Sequence, residues 1–148
     1  MKTTIPPPLI TLICALLIFL SKFLFPELTF NYSNKLCLFF LISGFSIILI
    51  SCRTFKKQKT TINPIKIEKA SSLVTCGIFK YSRNPMYLGM LLILISTAIK
   101  FSFYGGVIVI GFFVYFITIF QILPEEKAMQ KLFGEDFIKY KNKTRRWL

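Results

Sequence analysis

The sequence predicts an all-α integral-membrane protein, with about four transmembrane helices in one domain covering residues 1–148. Three observations carry that expectation. Of the 148 residues, 54% are hydrophobic and only 17% charged, where an average soluble domain has about 25% charged residues. The mean hydropathy is +0.62. A soluble domain of this size leaves roughly a third of its extended-chain surface in water, too much for this composition. Finally, the apolar residues gather into four runs, and the net charge of +13 falls between them. These features exclude a soluble globular protein, a disordered chain and a DNA-binding domain.

The first run, Leu9–Phe25, is broken only by Thr11, Ser21 and Lys22. Pro6, Pro7 and Pro8 precede it and no small-residue cleavage pattern follows, so it reads as a retained anchor. The second run, Leu36–Cys52, has no charge. Both approach the length of about 20 apolar residues that spans a bilayer as a helix. The third, Met86–Ile99, is short. It lengthens to about 85–100 with Pro85 as the first helical residue and reads as membrane-embedded. The fourth span, about 102–123, belongs to the uncharged run Phe101–Leu123.

The charge agrees with this count. Eight of the 19 basic residues lie from Arg53 to Arg83 and seven from Lys127 to Arg146; Lys2, Lys22, Lys35 and Lys100 complete the set. With four spans, the N-terminal stub, the loop 53–84 and the tail 124–148 share one side. Excess Lys and Arg mark that side as cytoplasmic. Orientation and contact with anionic lipid account for the charge, so no nucleic-acid partner is expected. Cys14, Cys37, Cys52 and Cys76 form no C-x-x-C pair, and no metal site is expected. Histidine is absent.

Two polar segments meet the membrane. The first runs from Thr60 to Gly89. Ser71 and Ser72 could cap a short helical turn, and Gly77 permits positive φ. Asn84 would cap the third span, with Pro85 at its first position. That would leave a helix N-terminus at the cytoplasmic boundary, suited to an anionic group. Tyr87 and Gly89 follow, the glycine allowing another group close to the backbone. The same residues also fit an ordinary capped helix with an interfacial Arg and Tyr.

The second segment opens with Glu125 and Glu126 at the end of the long apolar run. One carboxylate could pair with Arg83, leaving the other for a cationic or hydroxyl-bearing ligand. A solvated helix start would place acidic residues there too. The tail then reads as an amphipathic helix, with Met129, Leu132, Phe133, Phe137 and Tyr140 forming an apolar stripe and Gly134 a possible bend. Arg145, Arg146 and Trp147 follow.

The stretches TTINP (60–64), SSLVTCGIFKYSRNPMYLG (71–89) and PEEKAMQKLFGEDFIKYKNKTRRW (124–147) resemble, in order, the isoprenylcysteine carboxyl methyltransferase family, whose relatives include phospholipid N-methyltransferases. The resemblance implies an integral-membrane enzyme that uses S-adenosyl-L-methionine and a lipophilic acceptor entering from the bilayer. It implies a cofactor pocket made by the cytoplasmic loop, the start of the third span and the C-terminal amphipathic helix. Carried onto this sequence, Gly77, Tyr81, Arg83, Asn84, Pro85, Tyr87, Gly89, Glu125 and Glu126 belong to the cofactor site. Glu125, Glu126 and Arg146 form the catalytic set, with Arg146 near the acceptor. Asn84 stands where the family often has His, Ile78 where Pro is common, and Phe137 where Tyr is common.

Methyl transfer from a sulfonium is an in-line displacement, governed mainly by positioning and exclusion of water. Lack of histidine is therefore no objection. A carboxylate or thiolate acceptor needs little proton removal, whereas an amine must lose a proton to a nearby group. The alternatives are phospholipid N-methylation and, from another class, a non-catalytic small membrane protein. The short Lys- and Phe-rich chain suggests a bacterial inner membrane, with both termini cytoplasmic.

Overall fold

The computed structural model describes residues 5–26, 33–58 and 72–148. The TTINP stretch and the Ser71 cap lie outside the described residues. The elements are α1 (Pro7–Ser21), α2 (Ser33–Lys57), a 3-10 turn (Gly77–Lys80), α3 (Pro85–Phe101), α4 (Phe103–Ile117), a π turn (Thr118–Ile122) and α5 (Leu123–Lys143). Among the described residues the fold is helical, with one isolated parallel bridge between Ser82 and Arg145.

Four apolar helices stand close to the four expected runs. By length and composition, α2 and the continuous helix Phe103–Lys143 are each able to cross a membrane; α1 and α3 are shorter apolar helices. The boundaries differ in two places. Helix α2 continues to Lys57, because Arg53, Lys56 and Lys57 are good helix formers with nothing to stop them. At the other end of the chain, α4 runs through the π turn into α5 without the break expected near Pro124. The π turn falls where the prolyl ring and its missing N–H disturb an α-helix most, and it absorbs that disturbance.

Helix α3 is the centre of the molecule, packing on α1, α2 and α4. Its Tyr87, Met90, Leu94 and Ala98 join Ile10, Cys14 and Ile18 of α1 and Phe113, Ile117 and Ile122 of the fourth helix in one core. Helix α2 approaches the opposite face of α3 through two glycines. A Cβ on Gly89 would stand 2.7 Å from the Gly44 carbonyl oxygen and 2.6 Å from Ile48 Cγ1. Further along, Ser96 Oγ donates to the Cys37 carbonyl at 2.8 Å. Outward faces stay apolar, with Leu12, Leu16, Phe39, Ile42, Ile108 and Phe112 exposed. Such an exterior suits lipid, where helices satisfy their own backbone.

The tail helix bends as expected at Gly134, whose φ of +49° and ψ of −122° leave the helical region. A residue with a side chain rarely adopts such angles. Beyond the bend, Phe137 and Tyr140 turn inward and are buried, while Leu132 of the expected apolar stripe is exposed. The bend thus brings the second half of α5 back over the 3-10 turn.

Candidate functional site

The N-terminal end of α3 is held by the C-terminal tail. Tyr140 Oη donates to the Phe79 carbonyl at 2.7 Å. Arg83 N donates to the Arg145 carbonyl at 3.0 Å, making the Ser82–Arg145 bridge. Asn84 Nδ2 donates to the Arg146 carbonyl at 3.0 Å. Asn84 does occupy the N-cap position of α3, with Pro85 first in the helix, but its side chain makes no cap bond. This corrects the expected capping role: the tail carbonyl has taken the amide, and Ser82 Oγ instead receives the Asn84 N–H at 3.2 Å.

Held in this way, the two arginines converge on one carboxylate. Arg83 Nη2 lies 3.0 Å from Glu126 Oε1. Arg146 meets the same group with Nε 3.1 Å from Oε1 and Nη2 3.0 Å from Oε2. The Arg83 and Glu126 side chains are 8% and 10% exposed, and that of Arg146 is 33% exposed. Two guanidiniums on one carboxylate leave the cluster with an excess positive charge. Buried charges persist only when paired and hydrogen-bonded, yet Arg83 Nε is buried with no hydrogen-bond partner among the described residues. Hydrogen bonding to Glu126 raises the Arg146 pKa above its ordinary value, against the opposing effect of burial.

The neighbouring carboxylate has different partners. Glu125 Oε1 accepts from Tyr87 Oη and from Gln121 Nε2, both at 2.6 Å. Of the two acidic residues, then, Glu126 pairs with Arg83 and Glu125 joins Tyr87.

Arg83, Asn84, Pro85, Tyr87, Glu125, Glu126 and Arg146 therefore gather at one end of α3. Three other expected residues stand apart. Gly77 has the positive φ its turn requires, +61°, and lies near Thr54. Tyr81 ends the 3-10 turn and is 74% exposed. Gly89 faces α2, where Gly44 and Ile48 fill its open side. Sequence reasoning missed Gln121, whose signal is a lone amide in an uncharged run, and Tyr140, placed there only as part of the apolar stripe.

A groove of about 560 Å³ lies beside the cluster, lined by Leu73, Thr75, Lys80, Asp136, Lys139, Tyr140, Lys143 and Thr144. It shares Tyr140 and Thr144 with the seam that anchors the tail. Chemically, the cluster offers guanidiniums to an anion and carboxylates to an ammonium or hydroxyls, at the mouth of an apolar bundle. Among the described residues no group of three or more His, Cys, Asp or Glu is placed to hold a metal.

The family model described as phospholipid methyltransferase matches residues 33–136. The protein-S-isoprenylcysteine O-methyltransferase of Saccharomyces cerevisiae is 30% identical over 131 residues, which cover 84% of this chain and 55% of that enzyme. This chain thus spans about half the length of the yeast relative. An uncharacterized protein of Haemophilus influenzae is 39% identical over 66 residues, covering 43% of this chain and all of that protein. No solved structure matches.

Proposed function

Since the chain belongs to the phospholipid methyltransferase family, we propose that it is an integral-membrane methyltransferase acting on a lipophilic acceptor. Methyltransferases of this family generally use S-adenosyl-L-methionine. The convergence of Arg83 and Arg146 on Glu126, with Glu125 alongside, carries the reading for this chain. That donor set fits an amino acid bearing both a carboxylate and an ammonium, and Arg83 Nε is a buried donor still lacking a partner. When bound, the cofactor supplies an electrophilic methyl group on a sulfonium.

In this reading the residues of the chain divide the work. Arg83, anchored by Glu126 and by its bond to the Lys141 carbonyl, presents positive charge to the cofactor carboxylate. Glu125, held by Tyr87, takes the ammonium or the ribose hydroxyls. Asn84 and Pro85 border the cofactor at the start of α3, the 3-10 turn with Gly77 and Tyr81 supports the tail through the Tyr140–Phe79 bond, and Gly89 sets how closely α2 approaches. Arg146, one-third exposed, orients an anionic acceptor. The apolar outer faces let an acceptor arrive from the bilayer, and the core under Tyr87 keeps water from the reacting groups. Helices α1 to α4 cross the membrane as four spans, with the termini and the loop 53–84 cytoplasmic, in a bacterial inner membrane.

Two acceptor classes follow. The yeast relative's name favours a prenylated cysteine carboxylate. The Tyr87–Glu125 pair supports an amine headgroup as the second reading, because an amine must surrender a proton; in that reading Glu125 would receive it in place of contacting the cofactor ammonium. The test supplies methyl-labelled S-adenosyl-L-methionine to membranes containing the chain and follows label into the organic phase. Label should appear with the wild-type chain and fall sharply with Glu125→Gln. Alkali releases a methyl ester as methanol and leaves an N-methyl group intact, so the same extract separates the two classes. Equal label with and without the chain would contradict the reading.

A further inference from the structure

Gln121 lies in the uncharged run that ends the fourth apolar helix, and it is only 3% exposed. An amide in such a place is costly unless its hydrogen bonds are met. Its Nε2 donates to Glu125 Oε1 at 2.6 Å, the same oxygen that receives Tyr87 Oη at 2.6 Å. One carboxylate oxygen is thus held from two sides, by α3 and by the π turn.

The π turn makes the arrangement possible. Buried positions step by four from Phe113 to Ile117, by five to Ile122 and by four to Glu126. The five-residue step coincides with Thr118–Ile122. It turns both Gln121 and Ile122 inward, and one turn later Glu125 and Glu126 both reach partners in the bundle. A regular α-helix keeps one face through steps of three and four, and a step of five moves to another face. Adjacent carboxylates can therefore address separate sets: the arginines for Glu126, and Tyr87 with Gln121 for Glu125. Single π turns inside α-helices are frequent at functional sites.

We propose that Gln121 is a positioning residue of the methyl-transfer site, which together with Tyr87 fixes the Glu125 carboxylate for the ammonium or hydroxyls of the cofactor. The inference rests on the methyltransferase reading above. Two donors on one oxygen set the plane of the carboxylate before ligand arrives, so less ordering remains to be done on binding. The residue type matters. A carboxylate at 121 would repel Glu125, and an aliphatic side chain would remove a donor.

The test titrates S-adenosylhomocysteine into the full-length chain purified in detergent. Gln121→Leu should bind about ten-fold more weakly, the loss expected when a hydrogen bond to a charged group is removed, with unchanged helix content. Gln121→Glu provides a readout that a merely structural role would not move. Burial beside Glu125 holds the new carboxyl above the ordinary carboxylate range, so near pH 5 it is protonated and can donate to Glu125 as the amide does, whereas near pH 8 it is ionised and repels. Its affinity should fall about ten-fold between those values, while the wild-type chain changes by less than about two-fold. Gln121→Leu binding as tightly as wild type, or a flat pH profile for Gln121→Glu, would overturn the proposal. Failure of the wild-type chain to bind would instead overturn the reading beneath it, and the two failures are told apart by the wild-type titration alone.

Discussion

Arg146 and Glu126, twenty residues apart, meet through two parallel hydrogen bonds, Nε to Oε1 at 3.1 Å and Nη2 to Oε2 at 3.0 Å. This fork ties the last residues of the chain to the start of α5. Because the same carboxylate also holds Arg83, it joins the tail, the fourth apolar helix and the entrance of α3. Planar guanidinium and carboxylate match each other in this geometry, and a lysine could not reproduce it.

Removing the central charge should therefore cost more than removing either end. Glu126→Gln leaves Arg83 buried without its counter-ion, and a loss of about 3 kcal/mol is expected. Arg146→Ala removes a partner that is one-third exposed, and about 1 kcal/mol is expected. Unfolding of the two variants in detergent checks the order.

The glycine contact between α2 and α3 gives a second prediction. Gly89→Ala places a methyl against the Gly44 carbonyl and Ile48 and should destabilise by about 1–3 kcal/mol. Gly111→Ala meets nothing within 4 Å, so it should be neutral or stabilising by up to about 1 kcal/mol. Thermal unfolding of the pair separates a packing effect from a general effect of glycine replacement.

Tyr140 predicts the response to alkali. Burial pushes its pKa well above the ordinary value of 10.0, with nearby Arg83 acting in the opposite direction. The folded state thus holds this proton more tightly than the unfolded chain. Its contribution is complete below about pH 10 and is lost as pH rises from there toward the folded pKa. Tyr140→Phe loses the bond to the Phe79 carbonyl, at a cost of about 1 kcal/mol. Its stability should then fall less steeply above pH 10 than that of the wild-type chain. Unfolding measured between about pH 8 and 11 reads the difference.

Much of this was legible in the sequence, for physical reasons. Long uncharged runs admit few structures other than membrane helices, and Pro85 marks the start of α3 as well as any residue could. The bend at Gly134 and the positive φ of Gly77 were visible because no other residue tolerates those angles as well. That one of the two adjacent carboxylates meets Arg83 was legible; the contacts of Asn84 and Glu126 with the tail's Arg146 were not. They depend on where the tail lands after the bend, a long-range outcome that no local spacing encodes. The π turn was hidden too, since a one-residue shift of the buried face leaves no mark on hydropathy.

The tail clasp can be tested by deletion. Removing residues 144–148 takes away the bridge to Ser82 and Arg83, the partner of Asn84 and the fork on Glu126. The helices should persist, because they pack through α3 and not through the tail. Circular dichroism should change little, while binding of S-adenosylhomocysteine is lost.

Most direct of all is calorimetric titration of S-adenosylhomocysteine into the purified wild-type chain, beside Arg83→Ala and Glu125→Gln. The account predicts micromolar binding by the wild type and affinities weaker by about ten-fold or more in both variants. A folded wild-type chain that binds nothing, or variants that bind as tightly as wild type, would contradict a cofactor site at the Arg83–Glu126–Arg146 cluster.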